Sequence, residues 1–151
     1  MANKRWRGLR VEHLCIVNKV EFALIAHVSP QNLLGFPTLF TSGLYITQFT
    51  LLAALTKAAP VTINRLAEIL VIDRTTLTRN LEVLVKQHLV RIEEGEDRRT
   101  RLAHLTQEGE QALSRAWPLW QEAQARIEHA LGRERLEGLL TDLSALRAAA
   151  S

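Results

Sequence analysis

A chain of 151 residues and 17.1 kDa has room for one ordinary domain, or for one domain with appended helices. It is 47% hydrophobic and 23% charged, which excludes a disordered polyelectrolyte, and with 5% aromatics its core must be built mainly from Leu, Ala, Val and Ile. A formal charge of +3 permits a polyanionic partner without demonstrating one, and the single cysteine, Cys15, excludes an internal disulfide and suits a reducing compartment.

The basic start (Lys4, Arg5, Arg7, Arg10) is followed by an apolar run. Glu12, His13, Asn18, Lys19 and Glu21 interrupt that run, so it does not make the apolar stretch of a secretory signal. No segment approaches the roughly 18 apolar residues of a membrane span. A cytoplasmic location is the expectation.

Val11 to Val28 reads as a helix apolar on most sides, a helix that needs more than one neighbour to bury it. Ser29-Pro30 stops it, and Gln31 to Gly43, with Gly35 and Pro37, reads as a loop or short helix. Thr47 is the expected N-cap of a helix to about Lys57 that offers Phe49, Leu51, Leu52 and Leu55 to a core. Pro60 ends that region, and Thr62 caps a short helix carrying Ile63, Leu66, Ala67 and Leu70.

Asp73 caps the next helix, where Leu77, Leu81, Leu84 and Val85 form an apolar stripe. Leu89 to Ile92 and Thr100 to Leu105 are strand candidates on either side of the charged tip Glu93-Glu94-Gly95-Glu96-Asp97-Arg98-Arg99. Thr106 starts a long helix to about Ala130, in which Pro118 is expected to give a kink. A last helix from about Arg133 carries Leu136, Leu139, Leu140, Leu143 and Leu146 on one face.

This order is what a winged helix-turn-helix needs, and the fold expected is mainly α with a small β-hairpin wing. The organisation expected is an N-terminal helical dimerisation region (1–45), a DNA-binding region (46–108) and C-terminal dimerisation helices (109–151), intertwined as one domain. The winged core uses only the middle of the chain, so the greasy flanking helices require another partner, and a second copy of the chain is the economical one.

With its apolar stripe inward, the helix after Asp73 turns Arg74, Thr75, Thr78, Arg79 and Glu82 outward, with Thr76 at the boundary. Arginine pairs with guanine edges, and threonine offers a hydroxyl and a methyl, so these side chains suit a major groove. Taken alone, such a face is more often merely solvated. The capped helix before it and the arginines after it (Arg98, Arg99, Arg101) shift the balance, since an arginine beside a hairpin turn can enter a minor groove. The acidic tip residues Glu93, Glu94, Glu96 and Asp97 are expected to orient arginines or to face away from DNA.

These residues resemble the MarR family of bacterial transcriptional regulators. The match runs from about Leu44 to Gln111 through Ile46-Thr47-Gln48-Phe49-Thr50-Leu51-Leu52, Thr62-Ile63-Asn64-Arg65-Leu66-Ala67 and Asp73-Arg74-Thr75-Thr76-Leu77-Thr78-Arg79-Asn80-Leu81. The family's wing signature falls on Asp97, Arg99, Leu105 and Thr106. The resemblance implies a homodimer on a pseudo-palindromic duplex, with Arg74, Thr75, Thr78 and Arg79 in the major groove, Arg99 in the minor groove and Asp97 bracing it. The two recognition helices would lie roughly 34 Å apart. One departure is His88, where the family usually has Gly; it reads as a strained structural cap.

For a signal, Cys15 lies roughly where the hydroperoxide-sensing branch of that family has its reactive cysteine, although Leu14, Ile16 and Val17 around it suit a buried, inert thiol better. Small aromatic anions bind in the crevice of many family members, and His13, Tyr45, Trp117 and Trp120 are the candidate lining here, with His27 as a further candidate; aromatics at this spacing are more often core. The histidines and the cysteine are too dispersed for a metal site, and no hydrolase, kinase or dehydrogenase motif occurs, so neither cofactor nor catalysis is expected. The expected function is a dimeric, sequence-specific DNA-binding regulator, a repressor released by a small aromatic ligand or by oxidation at Cys15. The rival classes are a winged helix used only for protein interaction, and a thiol peroxidase-type enzyme using Cys15.

Overall fold

The computed structural model describes residues 42–97 and 99–149. The predicted N-terminal helix, with His13, Cys15 and His27, lies outside the described residues, as does Arg98.

In chain order the elements are α1 (Ile46–Ala58), β1 (Val61–Thr62), α2 (Ile63–Leu70), α3 (Arg74–Lys86), β2 (Val90–Glu94), β3 (Arg101–Leu105), α4 (Gln107–Leu131) and α5 (Arg133–Ala149). This is the mainly helical, winged helix-turn-helix architecture that the sequence led us to expect. Helix α1 is its centre: every residue from Gln48 to Leu55 is buried, because α2, α3, α4 and β3 surround it. Its two buried polar side chains are satisfied. The Thr50 hydroxyl donates to the Ile46 carbonyl at 2.9 Å, and Gln48 accepts from the Tyr45 N–H at 2.9 Å and donates to Gln87 Oε1 at 3.3 Å.

That glutamine also corrects the expected cap. The N-cap of α1 is Tyr45, with extended backbone, and not Thr47. Gln48 at the third helical position reaches back to the Tyr45 N–H, a function no hydroxyl at position 47 is placed to perform.

The caps read at Thr62 and Asp73 are present, and Thr106, read as the start of the long helix, is its N-cap. Thr62 accepts from the Arg65 N–H at 3.1 Å, Asp73 from Thr76 at 2.8 Å and Thr106 from Gly109 at 3.0 Å. Two turns use left-handed backbone at non-glycine residues: Val71 (φ 53°) closes α2, and His88 (φ 60°) leads from α3 into β2. His88 is therefore the strained cap its position suggested.

The strands are shifted slightly from expectation, to 90–94 and 101–105, and pair antiparallel in a ladder from Val90↔Leu105 to Glu94↔Arg101. A third strand was not anticipated. β1, only two residues long, adds to the other edge of β3 through Val61↔Ala103 and Thr62↔Leu102, giving the order β1-β3-β2.

Helix α4 continues through Pro118, which removes one amide donor without ending the helix. On its first half, Ala112, Leu113 and Ala116 join the core, whereas Leu139 and Leu146 on α5 are 39% and 66% exposed.

Candidate nucleic-acid interface

Helix α3 has one face fixed by packing. Leu77, Leu81 and Leu84 are fully buried, and at about 100° per residue the opposite side carries Thr75, Arg79, Glu82, Val83 and Lys86. All five are exposed. Arg74 is exposed at the first helical position, while Thr78 is half-buried on the flank.

Local hydrogen bonds divide the threonines. The Thr76 hydroxyl donates to Asp73 Oδ2 at 2.5 Å and completes the cap, and the Thr78 hydroxyl donates to the Arg74 carbonyl at 2.8 Å. Both protons are committed inside the helix. Thr75, Arg74 and Arg79 make no side-chain hydrogen bond or ion pair with any described residue and stand ready for an external partner. The Asp73 carboxyl is held below its ordinary pKa, first by the Thr76 hydroxyl and then by the Thr76 N–H, so the cap is anionic at neutral pH.

At the wing tip, Gly95 donates to the Thr100 carbonyl at 2.8 Å, and Thr100 donates back to the Asp97 carbonyl at 2.7 Å. The Asp97 carboxylate accepts the backbone N–H of Arg99 at 3.1 Å. Its contact is with the backbone that carries Arg99, as in an Asx-turn, rather than with the guanidinium. The Arg99 side chain is exposed and has no ion-pair partner among the described residues.

Part of the acidity lies elsewhere. Glu93 is paired with Arg91 at 3.0 Å and lies 3.1 Å from His104 Nε2, off the line of a hydrogen bond. Glu93 is thereby turned along the sheet toward its own neighbours.

The four pocket candidates do not form one group. Trp117 and Trp120 stack at 5.0 Å between ring centroids, and Phe49 of α1 lies against both, at 6.2 and 5.9 Å. The pair thus belongs to the α1–α4 packing, with the Trp120 indole N–H buried and without a hydrogen-bond partner among the described residues. Tyr45 is 60% exposed at the start of α1 and is not part of that stack, and His13 lies outside the described residues. Among the described residues no cluster of His, Cys, Asp or Glu could hold a metal ion, and no helix is long and apolar enough to cross a membrane.

Sequence reasoning missed two contributors. Val83 sits on the outward face of α3, where its apolar character suggests core and only the helix phase shows otherwise. Gly109, in the first turn of α4, touches the Leu89 carbonyl so closely that a Cβ there would lie 2.1 Å from it. The Thr106 hydroxyl fastens the same junction by donating to the His88 carbonyl at 2.7 Å.

A capped helix pair whose second helix presents arginines that are unpaired among the described residues, followed by a hairpin with Arg99 exposed at its tip, defines a winged helix-turn-helix nucleic-acid-binding protein. Residues 42–100 match the family model described as MarR family. The chain is similar to MosR, a transcriptional regulator of M. tuberculosis solved in complex with DNA, with 38% identity over 74% of this chain and 85% of that one, TM-score 0.62. It is also similar to a mutant of E. coli MarR complexed with operator DNA (25% identity, 75% and 82% of the two chains, TM-score 0.69). CouR, a transcriptional repressor bound to a 23-mer DNA duplex, is 26% identical over 75% and 82% of the chains, TM-score 0.69. A comparison with curated proteins gave no match. The chain belongs to the MarR family and is a DNA-binding transcriptional regulator.

Proposed function

We propose that this protein is a homodimeric repressor that holds a pseudo-palindromic operator through Thr75 and Arg79 in the major groove and Arg99 in the minor groove. The observation that carries the reading is the set of side chains of Arg74, Thr75 and Arg79, exposed and unpaired among the described residues, on a helix whose other side is locked into the core, beside a wing with Arg99 exposed. Arg74 and Arg98 supply further positive charge, and Thr76 and Thr78 serve the helix frame while keeping their methyl groups available. The apolar residues that α4 and α5 leave exposed, Leu131, Leu139 and Leu146, support a second copy as partner. That MosR and CouR were solved bound to DNA supports a DNA duplex as the partner.

Release is by a small aromatic ligand near the Phe49–Trp117–Trp120 stack or by oxidation at Cys15. Either changes the separation of the two recognition helices. A coupling of about 1–3 kcal/mol changes affinity by one to two orders of magnitude.

The test is selection from a randomised duplex library, followed by footprinting and titration across salt concentrations. Specific regulation requires a discrete footprint and a large loss of affinity in Arg79→Ala and Arg99→Ala; uniform, sequence-independent binding with unaltered variants refutes it. Cys15→Ser separates the two release routes. A variant that still binds DNA but no longer lets go in peroxide assigns the signal to the thiol, and one that responds like the wild type makes Cys15 a structural residue.

A further inference from the structure

On the outward face of α3, Val83 stands one turn beyond Arg79 and three residues before Lys86, and 45% of its surface is exposed. Thr, Arg, Glu and Lys occupy the rest of that face. A solitary exposed apolar residue on an ordinary surface needs no explanation. This one differs by its place, on the flank of the face that carries Thr75 and Arg79, one turn beyond Arg79. A β-branched residue also costs helix propensity there, with nearly half of its surface left exposed.

Two features say what Val83 is suited to meet. Its neighbour Glu82 is exposed and has no ion-pair partner among the described residues, and this carboxylate suits the amino group of a base edge better than a phosphate. On the floor of the major groove the one apolar group is the C5-methyl of thymine. Eight residues separate Thr75 from Val83, about 12 Å along a helix, which is about the width of that groove. The two ends of this face therefore meet different base pairs.

We propose that Val83 is a specificity-determining residue that packs on the 5-methyl group of a thymine in each half-site. The proposal rests on the reading of α3 as the recognition helix. It adds an apolar discriminator to the polar contacts of Thr75 and Arg79, so the protein would tell thymine from cytosine or uracil at a position where no hydrogen bond is made.

The experiment uses a duplex selected by the full-length protein from a randomised library, with each thymine replaced in turn by deoxyuridine, which removes only the methyl. Affinity is read by fluorescence anisotropy. For the wild type, one thymine per half-site should be sensitive, with about fourfold weaker binding when its methyl is absent, the worth of one methyl taken out of water.

Val83→Ala should bind the unmodified duplex weaker by a similar factor and lose sensitivity at that thymine alone, while Val83→Ile keeps it. Because the side chain is exposed, both variants should retain wild-type circular dichroism. An unchanged deoxyuridine profile in Val83→Ala, or affinity equal to wild type, overturns the proposal while leaving α3 as the reading helix. A library that yields no preferred sequence overturns both.

Discussion

Two glycines inside helices give opposite expectations when each is changed to alanine. In α5, Gly138 is exposed and a Cβ there meets nothing within 4 Å. Gly138→Ala should stabilise by about 0.5–1 kcal/mol, because alanine restricts the unfolded chain and favours the helix. In α4, the added Cβ of Gly109→Ala would lie 2.1 Å from the Leu89 carbonyl oxygen and 2.7 Å from Leu105 Cδ1. The nearer neighbour is backbone, and the same carbonyl accepts the Thr106 N–H at 3.2 Å.

Relieving the clash must therefore part β2 from the start of α4. Overpacking costs about 1–3 kcal/mol and the lost hydrogen bond about 1, offset by at most about 1 from helix propensity. The net loss of about 1–3 kcal/mol lowers the thermal midpoint by roughly 3–10 °C, against a rise of a few degrees for Gly138→Ala. Circular dichroism melts of the wild type and the two variants at one protein concentration measure both. A midpoint for Gly109→Ala at or above that of the wild type would refute the argument that the junction is closed to a single methyl.

The same junction makes Thr106→Val destabilising by about 1–3 kcal/mol, since the hydroxyl both caps α4 and holds the His88 carbonyl, and Thr106→Ser should restore most of this in urea unfolding. His88→Gly should stabilise by about 1 kcal/mol by removing a side chain from left-handed backbone at φ 60°, and its DNA affinity should match wild type; a loss of stability would mean that the imidazole contributes more than its strain costs. Asp73 titrates below its unfolded value of 3.8, so its contribution is fully present above that value and is lost as pH falls through the lower folded value. Urea midpoints of wild type and Asp73→Ala should accordingly differ at neutral pH and converge in strong acid, and a constant gap would exclude the carboxylate as the cause.

What could be read from the chain was chiefly local chemistry. Thr62 and Asp73 were legible as caps, and Thr106 as a helix start, because a side-chain oxygen and an amide three residues on are sufficient for that contact. The start of α1 was misread at Thr47 because the reciprocal half of a capping box, Gln48 on the Tyr45 N–H, gives a weaker sequence signal than a hydroxyl. β1 escaped because two residues have no periodicity; only the distant Ala103 and Leu102 make Val61 and Thr62 a strand. At the candidate interface the helix period grouped Thr75 with Thr78 and set Thr76 at the boundary, whereas hydrogen bonds within one turn separate Thr75 from Thr76 and Thr78. The position of Trp117 and Trp120 against Phe49 is a long-range contact that spacing along α4 cannot reveal.

The two-residue strand β1 has a mechanical consequence. Thr62 belongs at once to the sheet and to the cap of α2, so β3 is gripped on both edges and the hairpin root is welded to the helix-turn-helix. Only the segment between Glu94 and Arg101 projects beyond the ladder. Helix α3 and the wing thus form a calliper with a fixed gap. In the proposed complex, a groove spacing that departs from that gap must be met by deformation of the duplex, so the stiffness of an operator, including base pairs the protein never touches, would enter its selection.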